Sequence, residues 1–371
     1  MFSSRLHWDL ETNPLTELLN AKRQSGEPVL DLTESNPTRA GIEYPAGLLE
    51  PDMRAMQYSP DPRGLSAARE AVAAYHKVAA EQVLLTTSTS ESYGFLFKLL
   101  CDPGDEILTP RPSYPLFEFL ASLESVHVKQ YPLVYNEGWW LDFEELLRMV
   151  TPRTRAILLV NPNNPTGSYL KQHELEQLAA LAHSTDMAII SDEVFADYGF
   201  GEDEARVSTL AHNNEVLTFT LSGLSKVCAL PQMKLGWIVA SGPRHEEALE
   251  RLELIADTYL SVSTPIQLAA PAMLGSRHYI QQQIRERTRR NLALLEGRHL
   301  HVEGGWYATI QVPRTRGEEA WVLDLLREKN VQVQPGYFFD FHAEAYLVVS
   351  LLTPPEIFAE GIRRILEFTA D

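Results

Sequence analysis

The chain has 371 residues, with 50 acidic against 32 basic side chains and a formal net charge of −18. A field of that sign repels phosphate backbones and anionic lipid headgroups, which argues against a nucleic-acid-binding or membrane-surface role. Hydrophobic residues at 44% and charged residues at 22% are ordinary globular values, and the length exceeds what one core of about 250–300 residues serves, so two domains are expected.

The stretch Met1–Asp9 lacks the apolar run of a secretory signal, and nothing in the chain approaches the roughly 18 apolar residues of a membrane span, so a cytoplasmic location is expected. Residues 1–45 carry loop signals such as Asn13-Pro14 and Asn36-Pro37 and too little periodicity for a domain of their own; they are expected to pack on a smaller C-terminal domain. From about residue 46 to 245, short apolar runs alternate with segments of helical period, the signature of a mostly parallel sheet covered by helices. The candidate strands are 83–86, 106–109, 156–160, 188–191, 216–220 and 235–240. Lys171 to Ser184 reads as a crossover helix, with Leu175, Leu178, Leu181 and Ala182 inward and Glu174, Glu176 and Gln177 toward water. Residues 246–371 change to polar-faced helices followed by candidate strands 306–312, 331–334 and 346–350, a smaller α+β domain. Cys101 and Cys228 are far apart and outside any CxxC pattern, so both read as small buried hydrophobes. The His299-Leu300-His301 run reads as a solvated strand edge, with no metal site expected, and Arg285, Arg287, Arg289 and Arg290 as a helix face in water.

In an open α/β sheet, ligands sit beyond the carboxyl ends of the strands, so the residues that follow each apolar run are the ones to inspect. Four such places carry polar chemistry. Strand 83–86 runs into Thr87-Ser88-Thr89-Ser90, hydroxyls opening a helix. Strand 156–160 runs into Asn161-Pro162-Asn163-Asn164-Pro165-Thr166-Gly167, a rigid turn that orients the Asn164 amide. Strand 188–191 is followed by Asp192-Glu193, and strand 216–220 by Ser222-Gly223-Leu224-Ser225-Lys226. Taken singly, each has an ordinary reading as a turn, a cap or a surface charge. Taken together, an amine that can form an imine, an acid for a protonated ring nitrogen, an amide for a phenolate and a helix N-terminus for a phosphate specify one coenzyme, pyridoxal phosphate.

With these motifs the chain resembles the class I/II aminotransferases, pyridoxal-phosphate enzymes of the aspartate aminotransferase fold (fold type I). The likeness spans roughly Leu30 to Ile365 and is most specific in Asn-Pro-Asn-Asn-Pro-Thr-Gly, Ser-Asp-Glu-Val and Ser-x-x-Ser-Lys followed by Leu-Pro-x-x-Lys-Leu-Gly, in that order. The resemblance implies that Lys226 forms the Schiff base and carries the proton, and that Asp192 holds the ring nitrogen protonated. It further implies that Asn164 bonds the ring O3′, and that Ser88, Thr89 and Ser90 hold the phosphate with help from Ser225 and Lys234. Tyr114 would stack on the ring, and Tyr58 would reach the neighbouring site of a homodimer. The implied partners are an amino acid or amine donor and a keto acid or other carbonyl acceptor.

Three positions depart from the family pattern. Phe195 stands where a tyrosine usually donates to O3′, which should let the imine hold its proton to higher pH; Tyr198 is a possible substitute. Lys234 stands where an arginine usually forks the phosphate. Val348 stands where an arginine usually grips the substrate α-carboxylate, so either another cation serves, with Arg39 in Ser35-Asn36-Pro37-Thr38-Arg39 the candidate and Asn36 beside it, or the substrate lacks a free α-carboxylate. A carbon-sulfur β-lyase using the same coenzyme, and a non-catalytic binding protein of the same fold, are the alternatives left open.

Overall fold

The computed structural model describes residues 2–6, 8–50 and 52–370. In chain order its strands are β1 (Leu30–Asp31), β2 (Val83–Thr86), β3 (Glu106–Arg111), β4 (His127–Tyr135), β5 (Trp139–Leu141), β6 (Thr154–Val160), β7 (Ala188–Asp192), β8 (Thr218–Gly223), β9 (Gly236–Ser241), β10 (Tyr307–Gln311), β11 (Val331–Gln332), β12 (Gln334–Pro335) and β13 (Tyr346–Ser350).

Eight strands form one sheet in the order β2-β9-β8-β7-β6-β3-β4-β5. Strands β4, β3, β6, β7 and β8 run parallel, while β9 is antiparallel to both of its neighbours and β5 to β4. The period of two sends neighbouring residues to opposite faces. Ile190, Phe219 and Ile238 enter the core beneath the Thr89–Leu100 and His245–Tyr259 helices. Ile189, Ile157 and Leu108 enter the core under the Gln172–Thr185 helix. Because β6, β7 and β9 are covered on both sides, they read as apolar runs, whereas β8, equally buried, alternates Thr and Ser with Phe and Leu.

A second unit surrounds the antiparallel sheet β10-β13-β12. Leu15, Leu19 and Leu32 from the chain start share its core with Trp321, Leu325, Val349 and Phe358. The Pro14–Ser25 helix that supplies two of them is capped by Asn13, whose Oδ1 accepts from the Thr16 N–H, and ends at Gly26 in the left-handed region. The strand pair β1 and β11 joins the two ends of the chain.

Several expectations need correction. Strands β4 and β5 lie at the sheet edge, half-exposed, and their mixed polarity hid them from a search for apolar runs. The 331–334 run splits into β11 and β12, which belong to different sheets. Glu174 is buried rather than solvated: Oε2 accepts from the Lys171 N–H and Oε1 from the Leu141 N–H. Arg285 and Arg287 turn inward to backbone carbonyls of Asp197, Ala40 and Leu352, whereas Arg289 and Arg290 do face water. Cys228 is buried and Cys101 only half-buried. His299 to His301 lie outside any strand, and no metal-binding cluster occurs among the described residues.

One buried ionic cluster ties the two units beside the Asn164 turn. Glu303 pairs with Lys171 and, at 2.9 Å, with Arg206, and its Oε2 accepts from the Tyr169 N–H. Next to it Gly167 sits at φ +70, where a Cβ would come within 2.5 Å of the Gly304 carbonyl oxygen, so that turn requires glycine. Glu303→Gln would leave two desolvated cations sharing one neutral amide. It is expected to cost about 3–5 kcal/mol, read as a lowered midpoint in urea or thermal unfolding; an unchanged midpoint would count against this cluster as the tie.

Candidate active site

The carboxyl ends of β6, β7 and β8 deliver Asn164, Asp192 and Lys226 to one edge of the large sheet. The path to each is local. Asp192 and Glu193 follow one another at the end of β7, so their side chains diverge. Glu193 turns into a closed network, accepting from Ser191 Oγ, Thr209 Oγ1 and the Leu210 N–H, with burial pushing its carboxyl up to about 7. Asp192 turns the other way, toward Lys226.

Three asparagines occupy the β6 turn, and two are fully engaged. Asn161 donates to the Val207 carbonyl and accepts from the Leu170 N–H. Asn163 donates to the Pro112 carbonyl and to Thr166 Oγ1 and accepts from Ser113 Oγ, which ties this turn to the loop bearing Tyr114. Asn164 alone keeps a buried side-chain oxygen without a partner among the described residues. That oxygen can only accept, so a bond from Asn164 to a ring phenolate would come from its Nδ2 donor.

Lys226 stands on the one-turn helix Leu224–Val227 that follows β8. Its Nζ lies 4.8 Å from the centroid of the Trp306 ring and 5.4 Å from that of Phe195, and makes no hydrogen bond within the described residues. Desolvation among these rings lowers its pKa to about 8, while the charge of Asp192 works against the shift. Asp192 is raised by the same burial, opposed by hydrogen bonds from Tyr93 and the Val194 N–H and by the charge of Lys226.

At the end of β2 the backbone N–H groups of Ser88, Thr89 and Ser90 have no partner in the described chain, and they open the Thr89–Leu100 helix. Ser88 Oγ caps that helix by accepting from the Glu91 N–H at 3.3 Å, so what Ser88 offers a ligand is its N–H. Strand β9 passes so close that a Cβ on Gly236 would lie 2.8 Å from the Ser88 carbonyl carbon. These features make an anion cradle: free N–H groups, the positive end of a 12-residue helix and a glycine that lets the backbone approach.

The remaining candidates are placed as follows. Tyr114 is 38% exposed at the rim, backed by Phe117 at 6.0 Å. Ser225 is half-buried beside Lys226, and Lys234 is exposed at φ 49, two residues before Gly236. Tyr58 is 86% exposed. Arg39 is exposed, and its side chain has no partner among the described residues. Asn36 spends its Oδ1 on the N–H and hydroxyl of Thr38, closing its own turn. Tyr198 cannot stand in for the phenol missing at Phe195, because its hydroxyl donates to the Lys226 carbonyl at 2.6 Å. Val348 is fully buried, with Thr309 on one side and Gln334 on the other.

Sequence reasoning missed Trp306 and Tyr93. Trp306 follows the Gly304-Gly305 pair, the one sequence signal that could have marked a close approach. Tyr93 lies inside a helix with nothing to distinguish it from core. This set of groups is suited to a phosphorylated, aromatic aldehyde with a basic ring nitrogen: a cradle for its anion, an amine for its carbonyl, an acid for its nitrogen.

Comparison with known proteins agrees. Residues 27–365 match the family described as Aminotransferase class I and II, and the chain belongs to that family. The glutamate-pyruvate aminotransferase AlaA of Haemophilus influenzae is 26% identical over 94% of this chain and 92% of its own. The protein of the same name from Escherichia coli K12 is 31% identical over 71% of this chain and 68% of its own. Among solved structures, an alanine aminotransferase from Pyrococcus furiosus superposes with a TM-score of 0.89 at 26% identity, each chain fully covered. The protein is therefore an enzyme, a pyridoxal-phosphate-dependent aminotransferase of fold type I.

Two outcomes follow from the geometry. Covalent capture of pyridoxal phosphate by the coenzyme-free chain should accelerate with pH up to about 8 and then level off, since the Lys226 amine is neutral above that value; a rate still climbing past pH 10 would mean an ordinary surface lysine. Gly236→Ala should weaken pyridoxal phosphate by about 1–3 kcal/mol through overpacking against Ser88. Pyridoxal, which has no phosphate, should lose much less, and titration of both compares them.

Proposed function

We propose that Lys226 carries the coenzyme as a Schiff base and acts as the proton carrier of the transamination, with Asp192 holding the ring nitrogen protonated. The observation that carries the reading is the lysine itself, an unpaired amine whose pKa is brought to about 8, next to a buried carboxylate. When bound, pyridoxal phosphate supplies an aldehyde that exchanges amines and a ring that accepts the electron pair left by a departing Cα proton. The protein's share is placement and proton traffic. Ser88, Thr89 and Ser90 would donate their N–H groups to the phosphate, with Ser225 adding a hydroxyl and Lys234 a charge. Asn164 would hold O3′ through its Nδ2 donor, and Tyr114 would cover the ring at the rim. Lys226 Nζ would hold and return the proton at the substrate Cα, a role suited to a pKa near the working pH. Phe195 and Trp306 keep water from that nitrogen.

The relatives named glutamate-pyruvate and alanine aminotransferase support small amino acids and keto acids as partners. With Val348 buried and no cation at its place on β13, Arg39 is assigned to the substrate carboxylate, because it is exposed and unpaired one residue beyond the turn that Asn36 closes. The same valine favours a second reading, an amine donor without an α-carboxylate. The exposure of Tyr58, at 86%, supports a homodimer in which that side chain reaches the neighbouring site. The division into 1–45, 46–245 and 246–371 is supported by the separate cores on the two sheets, with the first segment sharing the last one's core. Among the described residues, no helix is long and apolar enough to cross a membrane.

The test is an absorption spectrum of the reconstituted protein against a panel of amino acids and their decarboxylated amines. Loss of the yellow band identifies the donors. Lys226→Ala should leave no borohydride-reducible imine, and its persistence would remove the assignment. Arg39→Ala should raise KM for carboxylate donors at least tenfold, about 1.4 kcal/mol, and leave amines unchanged; equal KM values for both classes would discard Arg39.

A further inference from the structure

We infer that Tyr93 is a positioning residue for Asp192, a strut that fixes the acid of the ring-nitrogen site relative to the helix turn that holds the phosphate. The inference rests on the reading of Asp192 given above and goes beyond it.

Tyr93 is 1% exposed on the Thr89–Leu100 helix, one turn beyond the free N–H groups of Thr89 and Ser90. Its hydroxyl donates to Asp192 Oδ2 at 2.6 Å, and the Val194 N–H donates to Oδ1 at 3.1 Å. Both carboxylate oxygens are therefore held from the protein side. Within the described residues Tyr93 is the one side chain that donates to this acid; Lys226 acts on it through charge alone. Two donors favour the charged form of a buried carboxylate against the burial that raises its pKa, and they keep it from swivelling. The strut is braced in turn. The Tyr93 ring meets Phe117 edge-on at 5.4 Å, and Phe117 meets Tyr114, so the rim aromatic, the Thr89–Leu100 helix and Asp192 share one support. A coenzyme held at its phosphate and at its ring nitrogen needs the span between those two anchors fixed, and the helix from Thr89 to Tyr93 together with this hydrogen bond fixes it.

The experiment uses the full chain and two probes, pyridoxal phosphate and its 1-deaza analogue, in which a C–H replaces the ring nitrogen and cannot pair with an acid. Dissociation constants are measured by absorbance for wild type and Tyr93→Phe, and again for both in the Asp192→Asn background, with melting curves to check folding. Tyr93→Phe should weaken pyridoxal phosphate about tenfold, as for a lost hydrogen bond to a charged group, and should change neither the deaza analogue nor the Asp192→Asn protein. Equal losses for the two probes would reduce Tyr93 to helix packing, and no loss would also overturn the inference. If Tyr93→Phe does not fold, 3-fluorotyrosine at position 93 keeps the ring and strengthens the donor. A change confined to pyridoxal phosphate then supports the strut, and no change overturns it. A wild-type chain that forms no adduct at Lys226 would overturn the underlying reading and this one with it, whereas normal wild-type binding with equal losses overturns this one alone.

Discussion

A lysine and an aspartate share a desolvated floor at the carboxyl edge of the large sheet, and the rest of the site depends on how that pair is held. Burial pushes the two groups in opposite directions, lowering the lysine and raising the acid, while their mutual attraction resists both shifts. The protein settles the conflict unequally. Asp192 receives two hydrogen bonds that favour its charge. Lys226 receives none and lies over two aromatic rings. Hydrogen bonds that favour the charge of the acid, beside an amine whose pKa is lowered, bias the pair toward the state that chemistry at a pyridine ring and its aldehyde requires.

That asymmetry is a consequence of sheet geometry. Adjacent residues at the end of β7 face opposite ways, which sends Glu193 into a closed network and Asp192 toward the lysine. The one-turn helix after β8 sets Lys226 beyond its strand end, and Tyr198 clamps the carbonyl of that residue while leaving the amine alone. Parallel strands aligned at their carboxyl ends bring groups from 62 positions of chain, Asn164 to Lys226, into one place without any of them being neighbours in sequence. The antiparallel β9 adds the last element, since its direction carries Gly236 past Ser88 at the phosphate turn.

The departures from the family pattern have uneven weight. Phe195 removes a phenol, and the surrounding rings do not restore it: Tyr198 is occupied, and Trp306 offers its face to the lysine while its indole N–H stays buried and unpartnered. Val348 is a larger change, because a fully buried valine flanked by Thr309 and Gln334 turns a charged rung of the small sheet into a neutral one. Under the proposed reading, substrate choice would then be set away from β13, by the chain-start turn around Arg39 or by a donor without a carboxylate.

The main strands, the crossover helix and the coenzyme motifs were legible in the sequence because they are local: an apolar run buried on both faces, a turn built from proline and glycine, a lysine just past a strand. The edge strands β4 and β5, the inward turn of Glu174 and the reversal of β9 were not, because each depends on what packs against it. The same division runs through the site. Lys226, Asp192 and Asn164 could be named from their neighbours in the chain, but Tyr93 looks like any core residue until the fold sets its hydroxyl against an acid 99 positions away. Backbone chemistry and side-chain period act over a few residues, and so are written in the sequence. Which buried donor meets which buried acceptor is decided only when separate elements pack, and that pairing determines which groups keep their charge.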